Sequence, residues 1–305
     1  MRLVSTSPSF GRFDTAPVRF LEDAGCSVDL IDPTDAAAVA DALRGADAWL
    51  VGSEPVGEEQ LLTADRLRVI AKSGAGTDNL DLNVLDARGI SVVTAPAANS
   101  AAVAEFALAQ LLAIARRLPE ADRAVRAGEW PAVVGSSLGG RTLGIVGFGA
   151  IGRRLAAMAQ AIGMDVIAHS RTADAATGER HRVRIADLDT LLASSDAVAL
   201  CVPLTDQTRG LIGPDRIAMM RPGALLVNVA RGGVVDESAL AGALTEGRLS
   251  AAAVDVFVDE PPATDHPLLS APHVLLSPHS ASYGDRVLRD VGFTIARAIL
   301  QALRT

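Results

Sequence analysis

Short apolar runs separated by stretches of helical spacing recur along the whole chain, and this alternation narrows the fold more than any other feature. In the second half the runs lie at residues 142–146, 165–168, 197–202, 224–230, 252–257 and 274–276. Between most of them, as at 151–162 and 237–245, apolar residues return at helical spacing. A short run that is apolar at successive positions is a strand buried on both faces, and alternation with helices makes a parallel sheet covered on both sides. The first half repeats the pattern more loosely, with runs at 3–5, 28–30, 48–51, 67–71 and 90–93 and helical stretches at 35–43 and 81–88. A longer amphipathic helix is predicted over 100–117, with Asn99 as its cap and Pro119 as its stop. A less regular connecting arm follows at 123–137, and a last helix is predicted over 286–303. No fixed-period self-similarity is present, so repeat architectures are set aside.

Length and charge bound the function. The 305 residues suit two domains, and 49% hydrophobic content excludes a disordered chain or a small disulfide scaffold. With only 3% aromatics, the core must be aliphatic. A net charge of −8 argues against a phosphate-backbone binder or a membrane-surface protein, while leaving room for a local basic pocket. Cys26 and Cys201 stand alone, without the spacing of a disulfide framework or a zinc site. The best apolar stretch, 103–115, is interrupted by Glu105 and Gln110, and the first residues lack the apolar core of a signal peptide. A cytoplasmic protein with no nucleic-acid or membrane partner and no metal is expected.

The strongest local motif is Gly147-Phe148-Gly149-Ala150-Ile151-Gly152, directly after the run 142–146 and at the start of a helical stretch. Glycines at this spacing allow a tight turn, close approach of the backbone to a pyrophosphate, and helix–strand packing; the helix N-terminus then faces the phosphates. The acid that usually binds the adenosine ribose is due about 20 residues on. That place reads His169-Ser170-Arg171-Thr172, without a carboxylate. Ser170, Arg171 and Thr172 suit a 2′-phosphate through charge-assisted hydrogen bonds, so NADP(H) is favoured, with NAD(H) as the alternative in which Arg171 faces solvent.

Ligands of open parallel sheets sit beyond the carboxyl ends of the strands. The ionisable residues delivered there are Arg231 after 225–230, Asp255 and Glu260 within and after 252–257, and His279 after 274–276. Arginine, carboxylate and histidine at one edge, beside a dinucleotide, suit hydride transfer to a 2-oxo acid. Arginine holds a carboxylate and polarises a ketone, and an imidazolium supported by a carboxylate protonates the developing alkoxide. His169, His181, His266 and His273 lack this placement. Taken singly, an arginine after a strand is usually a surface residue and a glutamate before Pro-Pro usually a loop residue; it is their combination after the glycine cradle that points to chemistry.

These same segments resemble the D-isomer-specific 2-hydroxyacid dehydrogenases. The resemblance covers nearly the whole chain and rests on Leu143 to Gly152, Pro203-Leu204-Thr205 with Thr208, Asn228 to Gly233, Asp255 to Pro261, Ser277-Pro278-His279, Ser73 to Asn79 and Asn99 to Glu105. It implies an α/β fold of two domains, a Rossmann cofactor domain at 99–283 inserted into a flavodoxin-like substrate domain at 1–98 plus 284–305, with the active site in a cleft between them. It implies Arg231 as the substrate-orienting arginine, Glu260 as the partner of the histidine and His279 as the acid/base. Asp255 would lie near the nicotinamide, with Val202, Pro203, Thr208, Val229 and Ala230 among the cofactor contacts. The backbone of Ala75 and Gly76 would seat the substrate carboxylate. A homodimer is implied, with the arm at its interface and Trp130 either anchoring that contact or buried in its own subunit.

Two departures stand out. Ser170-Arg171 replaces the acid of NAD-dependent members and resembles the NADPH-dependent glyoxylate and hydroxypyruvate reductases. Gly52 stands where many phosphoglycerate dehydrogenases carry an arginine, which lowers 3-phosphoglycerate as a substrate. Arg12 and Lys72 are the candidate substitutes, with solvent-facing roles as the default. The alternatives are a dinucleotide-sensing corepressor-like protein and a formate- or phosphite-type dehydrogenase.

Overall fold

The structure, a computed structural model, describes residues 1–74 and 76–304. The chain forms two compact units, Met1–Asn99 with Ser282–Thr305, and Ser100–Ala281.

The first unit is built on a parallel sheet of β1 (Arg2–Ser5), β2 (Ser27–Leu30), β3 (Ala48–Val51), β4 (Val69–Lys72) and β5 (Ser91–Val93), in the order β2-β1-β3-β4-β5. This is the flavodoxin-like order. Successive side chains serve opposite faces. Leu3, Leu50, Val69 and Ala71 point into one core, whereas Val4, Trp49, Val51 and Ile70 point into the other. The connecting helices are α1 (Ala16–Asp23), α2 (Ala36–Ala42) and α3 (Leu82–Ala87). Asp35 caps α2 by accepting from the Ala38 N–H, and Asp81 caps α3 by accepting from Asn83 and Val84. The C-terminal helix, Asp285–Arg304, returns to this unit and buries Ile295, Ile299 and Leu303 in the core that holds Leu3 and Leu50.

The second unit opens with α4 (Ser100–Ala115) and α5 (Leu118–Arg126). Seven parallel strands follow: β6 (Thr142–Val146), β7 (Asp165–His169), β8 (Arg184–Ile185), β9 (Ala197–Leu200), β10 (Ala224–Asn228), β11 (Leu249–Val254) and β12 (Val274–Leu276). Their order is β12-β11-β10-β9-β6-β7-β8. Counted from β6 this is the 3-2-1-4-5-6 order of a dinucleotide-binding sheet with one strand added. One face packs Leu143, Ile145, Ala199 and Val227 against α4 and α6 (Ala150–Ala161). The other packs Val198, Leu200, Leu226 and Val254 against α8 (Leu188–Ser194), α9 (Pro214–Met219) and α10 (Glu237–Thr245). Two short helices, α7 (Ala175–His181) and α11 (Pro267–Ser270), complete it.

Four local expectations are corrected. The helix predicted over 100–117 ends at Ala115, because Arg117 takes a left-handed φ of 52°. Pro119 lies in the first turn of α5 instead of stopping a helix, a place where its missing N–H costs nothing. Residues 123–126 are therefore helical, and only residues 129–137 of the arm run without regular structure. Trp130 within that run is 89% exposed, so burial in its own subunit is ruled out.

Ile299 is fully buried against the first sheet. Ile299→Ala should destabilise the first unit by about 2–5 kcal/mol, the usual cost of emptying such a site, read as a lower urea midpoint of its transition.

Candidate active site

Because every strand of the second unit runs parallel, all their exits lie on one edge of the sheet. β6 leaves through Gly147, whose φ is 103° and whose Cβ would stand 2.5 Å from the Cys201 carbonyl oxygen. Only glycine fits this approach of the β6 exit to the β9 exit. A Cβ on Gly152 would lie 2.2 Å from the Gly147 carbonyl oxygen, so α6 also meets its strand backbone to backbone. At Gly149, by contrast, a Cβ would meet nothing within 4 Å. Gly149 is also the N-cap of α6 and offers no side-chain cap, so the first N–H groups of the helix remain for an outside acceptor. The cradle fits a dinucleotide pyrophosphate. Phe148 turns its side chain into the core, Ala150 opens α6 and Ile151 packs on the core, so this stretch faces the cradle mainly through its backbone.

The neighbouring exits frame the cradle. After β9, the Thr208 hydroxyl donates to the Pro203 carbonyl at 2.6 Å and accepts from the Thr205 N–H at 2.8 Å, which locks the turn that follows Val202. Burial pushes the Cys201 thiol up to about 12, so it stays protonated. After β7, Ser170 Oγ accepts from the N–H groups of Thr172 and Ala173, both at 3.3 Å. Arg171 is exposed, and its guanidinium donates to the Gln207 side-chain oxygen. Since β6 lies between β7 and β9, that hydrogen bond links the two strand exits flanking the cradle.

Arg231, Asp255, Glu260 and His279 come from the next three exits. Val229 and Ala230, which lead into Arg231, are each 6% exposed. Asn228 pins the turn, donating to the Arg231 carbonyl and accepting from the Ala230 N–H, both at 3.0 Å. The Arg231 guanidinium donates to the Ala230 carbonyl at 2.8 Å. A Cβ on Gly232 would sit 2.0 Å from the Phe257 carbonyl carbon, so the β10 and β11 exits touch through their backbones. The loop after β11 folds back on itself, with Glu260 Oε1 accepting from the Phe257 N–H at 3.1 Å. Glu260 Oε2 lies 2.7 Å from His279 Nδ1.

The loop that carries His279 is held from beneath. Asp255 is fully buried, and its carboxylate accepts from Ser277 Oγ at 2.5 Å and from the N–H groups of Ser280 and Ala281 at 2.8 and 2.9 Å. The His279 N–H donates to the Asp255 carbonyl at 2.7 Å, and His279 itself takes a left-handed φ of 51°. A non-glycine residue held there is strained by its surroundings. Burial raises the Asp255 carboxyl above its usual value, although the hydrogen bonds from Ser277, Ser280 and Ala281 oppose the rise. The Asp255 carboxylate thus accepts its hydrogen bonds from the histidine loop. For Glu260 burial also pulls upward, but the hydrogen bond and charge of His279, the Phe257 N–H and the Arg231 charge outweigh it and hold the carboxyl below its usual value. An ionised carboxylate on Nδ1 orients the ring, and among the described residues nothing is hydrogen-bonded to Nε2, which is left to exchange a proton.

The first unit holds the remaining candidates. Gly76 follows β4, and Ala75 lies outside the described residues. Lys72 is only 6% exposed, with its ammonium on the Gly52 carbonyl, so its solvent-facing default is overturned. Arg12 is exposed and donates to the Ile31 carbonyl.

Residues 108–281 match the model of the D-isomer specific 2-hydroxyacid dehydrogenase NAD binding domain. The chain belongs to the D-isomer specific 2-hydroxyacid dehydrogenase family. A D-3-phosphoglycerate dehydrogenase of Archaeoglobus fulgidus is 41% identical over 247 residues, covering 80% of this chain and 47% of that protein. A glyoxylate reductase of Aeropyrum pernix is 41% identical over 249 residues, covering 78% of this chain and 74% of that one. Among solved structures, a D-lactate dehydrogenase of Aquifex aeolicus complexed with NAD and lactic acid superposes with a TM-score of 0.88 at 28% identity, over 100% of this chain and 96% of that one. The chain spans about half the length of the phosphoglycerate dehydrogenases it matches. In keeping with the family, the cofactor is a nicotinamide dinucleotide. Among the described residues no helix is long and apolar enough to cross a membrane.

Sequence reading gave no supporting role to Asn228, Gly232, Gln207 and Ser277. Asn228 and Gly232 lie inside a segment that carried the family resemblance, but their spacing says nothing of a backbone contact with Phe257. Gln207 carries no local signal at all.

The depressed carboxyl of Glu260 fixes the sign of a pH effect. Its pairing stabilises the fold above the unfolded-state value of about 4.3 and is lost as pH falls through the lower folded value. The stability difference between wild type and Glu260→Gln should therefore shrink as pH falls through and below the ordinary carboxylate range, as read by urea unfolding at stepped pH.

Proposed function

We propose that this chain is a nicotinamide-dependent D-2-hydroxyacid dehydrogenase that works as a reductase of small 2-oxo acids. The observation that carries the reading is the 2.7 Å contact of His279 Nδ1 with Glu260, set on one sheet edge with Arg231. The reduced cofactor, when bound, supplies hydride for C2 of the substrate. The Arg231 guanidinium holds the substrate carboxylate and polarises the 2-oxo group. His279 delivers a proton from Nε2 to the C2 oxygen, and Glu260 stabilises the imidazolium before that transfer. In this reading the unit at 99–283 holds the cofactor, while 1–98 plus 284–305 holds the substrate, with the Ala75-Gly76 backbone receiving its carboxylate. The backbone around Gly147, Gly149 and Gly152 holds the pyrophosphate, and Val202, Pro203, Thr208, Val229 and Ala230 line the path toward the nicotinamide.

NADP(H) is the favoured cofactor. The β7 exit carries Ser170, Arg171 and Thr172 in place of a carboxylate, and Arg171 already stands across the cradle on Gln207. A guanidinium there matches a 2′-phosphate, which an acid would repel. A homodimer is the favoured assembly, because Trp130 and Val134 present 89% and 79% of their surfaces along the arm.

His279→Asn should lower kcat for 2-oxo acid reduction by ~10²–10⁴, the range for a positioned acid, while cofactor binding followed by nucleotide fluorescence persists. Full turnover at neutral pH would remove His279 from the mechanism. Arg171→Ala should raise KM for NADPH far more than KM for NADH in steady-state assays; equal changes would return the chain to NAD(H).

A further inference from the structure

The first unit has a switch point of its own. After β1 the chain turns to one side for β2 and later to the other for β3, so the exits of β1 and β3 part at the centre of the sheet. In open parallel sheets a ligand is held at such a point. Here the β1 exit gives Thr6 and the β3 exit gives Gly52 to Glu54. The partly buried Glu54 carboxylate joins them: one oxygen accepts from the Gly52 N–H at 2.9 Å and the other from the Thr6 hydroxyl. Thr6 in turn accepts from Trp49 Nε1 at 2.9 Å, which anchors the arrangement in the core.

Neither Thr6 nor residues 52–54 supply a cation to this carboxylate. A Cβ on Gly52 would stand 2.8 Å from Pro8 Cδ and 2.9 Å from Glu54 Oε2, so a longer side chain would displace both. The Lys72 ammonium is buried and donates to the Gly52 carbonyl. The loop after β4 is fastened to the same place. Asn79 Nδ2 donates to the Glu54 carbonyl at 2.6 Å, and the Val56 N–H donates to the Asn79 carbonyl at 2.8 Å. The other end of that side-chain amide, Asn79 Oδ1, is buried without a donor among the described residues. The edge therefore carries a fixed, partly exposed carboxylate beside the loop in which Gly76 is proposed to seat the substrate carboxylate.

We propose that Glu54 is a specificity-determining residue, selecting 2-oxo acids whose far end is neutral or donor-bearing and rejecting those with a second anionic group such as a phosphate. The proposal rests on the dehydrogenase reading above and deepens it by naming the substrate class. A second anion brought to this edge meets a like charge already fixed in place, and such repulsion discriminates more strongly than a missing attraction. The substrate named for the phosphoglycerate dehydrogenases is thereby excluded for this chain.

Hydroxypyruvate and 3-phosphohydroxypyruvate differ only in the phosphate and make the test, with NADPH and NADH each as reductant. The wild type should favour hydroxypyruvate in kcat/KM by about 10- to 100-fold, the scale of one like-charge contact, and Glu54→Gln should narrow that ratio about tenfold. Equal or better use of the phosphorylated acid by the wild type, or an unchanged ratio in Glu54→Gln, would overturn the proposal. Calorimetric titration of the cofactor-bound wild type with D-glycerate and 3-phospho-D-glycerate reads the same preference without turnover or mutation. Tighter binding of glycerate with no turnover of either oxo acid keeps the proposal and sinks the hydride-transfer reading. Equal affinities, or no binding of either ligand, sink the proposal.

Discussion

A buried carboxylate holds the histidine in place. Asp255 follows β11 with no exposed surface, and three donors of the 277–281 loop converge on it. A carboxylate left unpaired at that depth would cost several kcal/mol, so the loop cannot relax away without exposing it to that penalty. His279 is thereby held in a left-handed conformation that its own side chain disfavours. The ring then meets Glu260, which is itself tied back to the Phe257 N–H. Positioning passes from strand to buried anion to loop to ring, and each link is a hydrogen bond with both partners satisfied.

A second device is the absence of side chains where backbones must touch. Gly147 against Cys201 and Gly232 against Phe257 bring neighbouring strand exits, and Gly152 against Gly147 brings a helix and its strand exit, closer than any Cβ permits. The first two shape the phosphate cradle, and the third sets the Arg231 turn against the loop of Glu260. Gly149 differs, since nothing in the protein crowds it. Its lack of a side chain leaves the N-terminus of α6 open, and the contrast separates the glycines that packing requires from one that packing does not.

Much of the architecture is visible in the chain because a doubly buried strand needs apolar residues at every position. Those runs marked eleven of the twelve strands, and β8 escaped because two residues, Arg184 and Ile185, show no periodicity. The Arg117 bend escaped for a different reason, since nothing local distinguishes an arginine that continues a helix from one that ends it. Arg231, Glu260 and His279 were legible as residue types at strand ends, whereas Asn228, Gln207 and Ser277 have meaning only through partners distant in sequence. Ser277, for example, donates to Asp255 while accepting from Gln110, 167 positions away.

Periodicity and glycine spacing are properties of neighbours along the chain, and they were sufficient to specify parallel sheets, the glycine turn that opens α6 and the residues delivered at the strand ends. Charge and burial are properties of neighbours in space. Folding alone placed Asp255 beneath the His279 loop, took the Lys72 ammonium out of solvent, and set the Glu54 carboxylate across the switch point of the first sheet. In each case the deciding quantity is a hydrogen bond between segments that the sequence keeps apart.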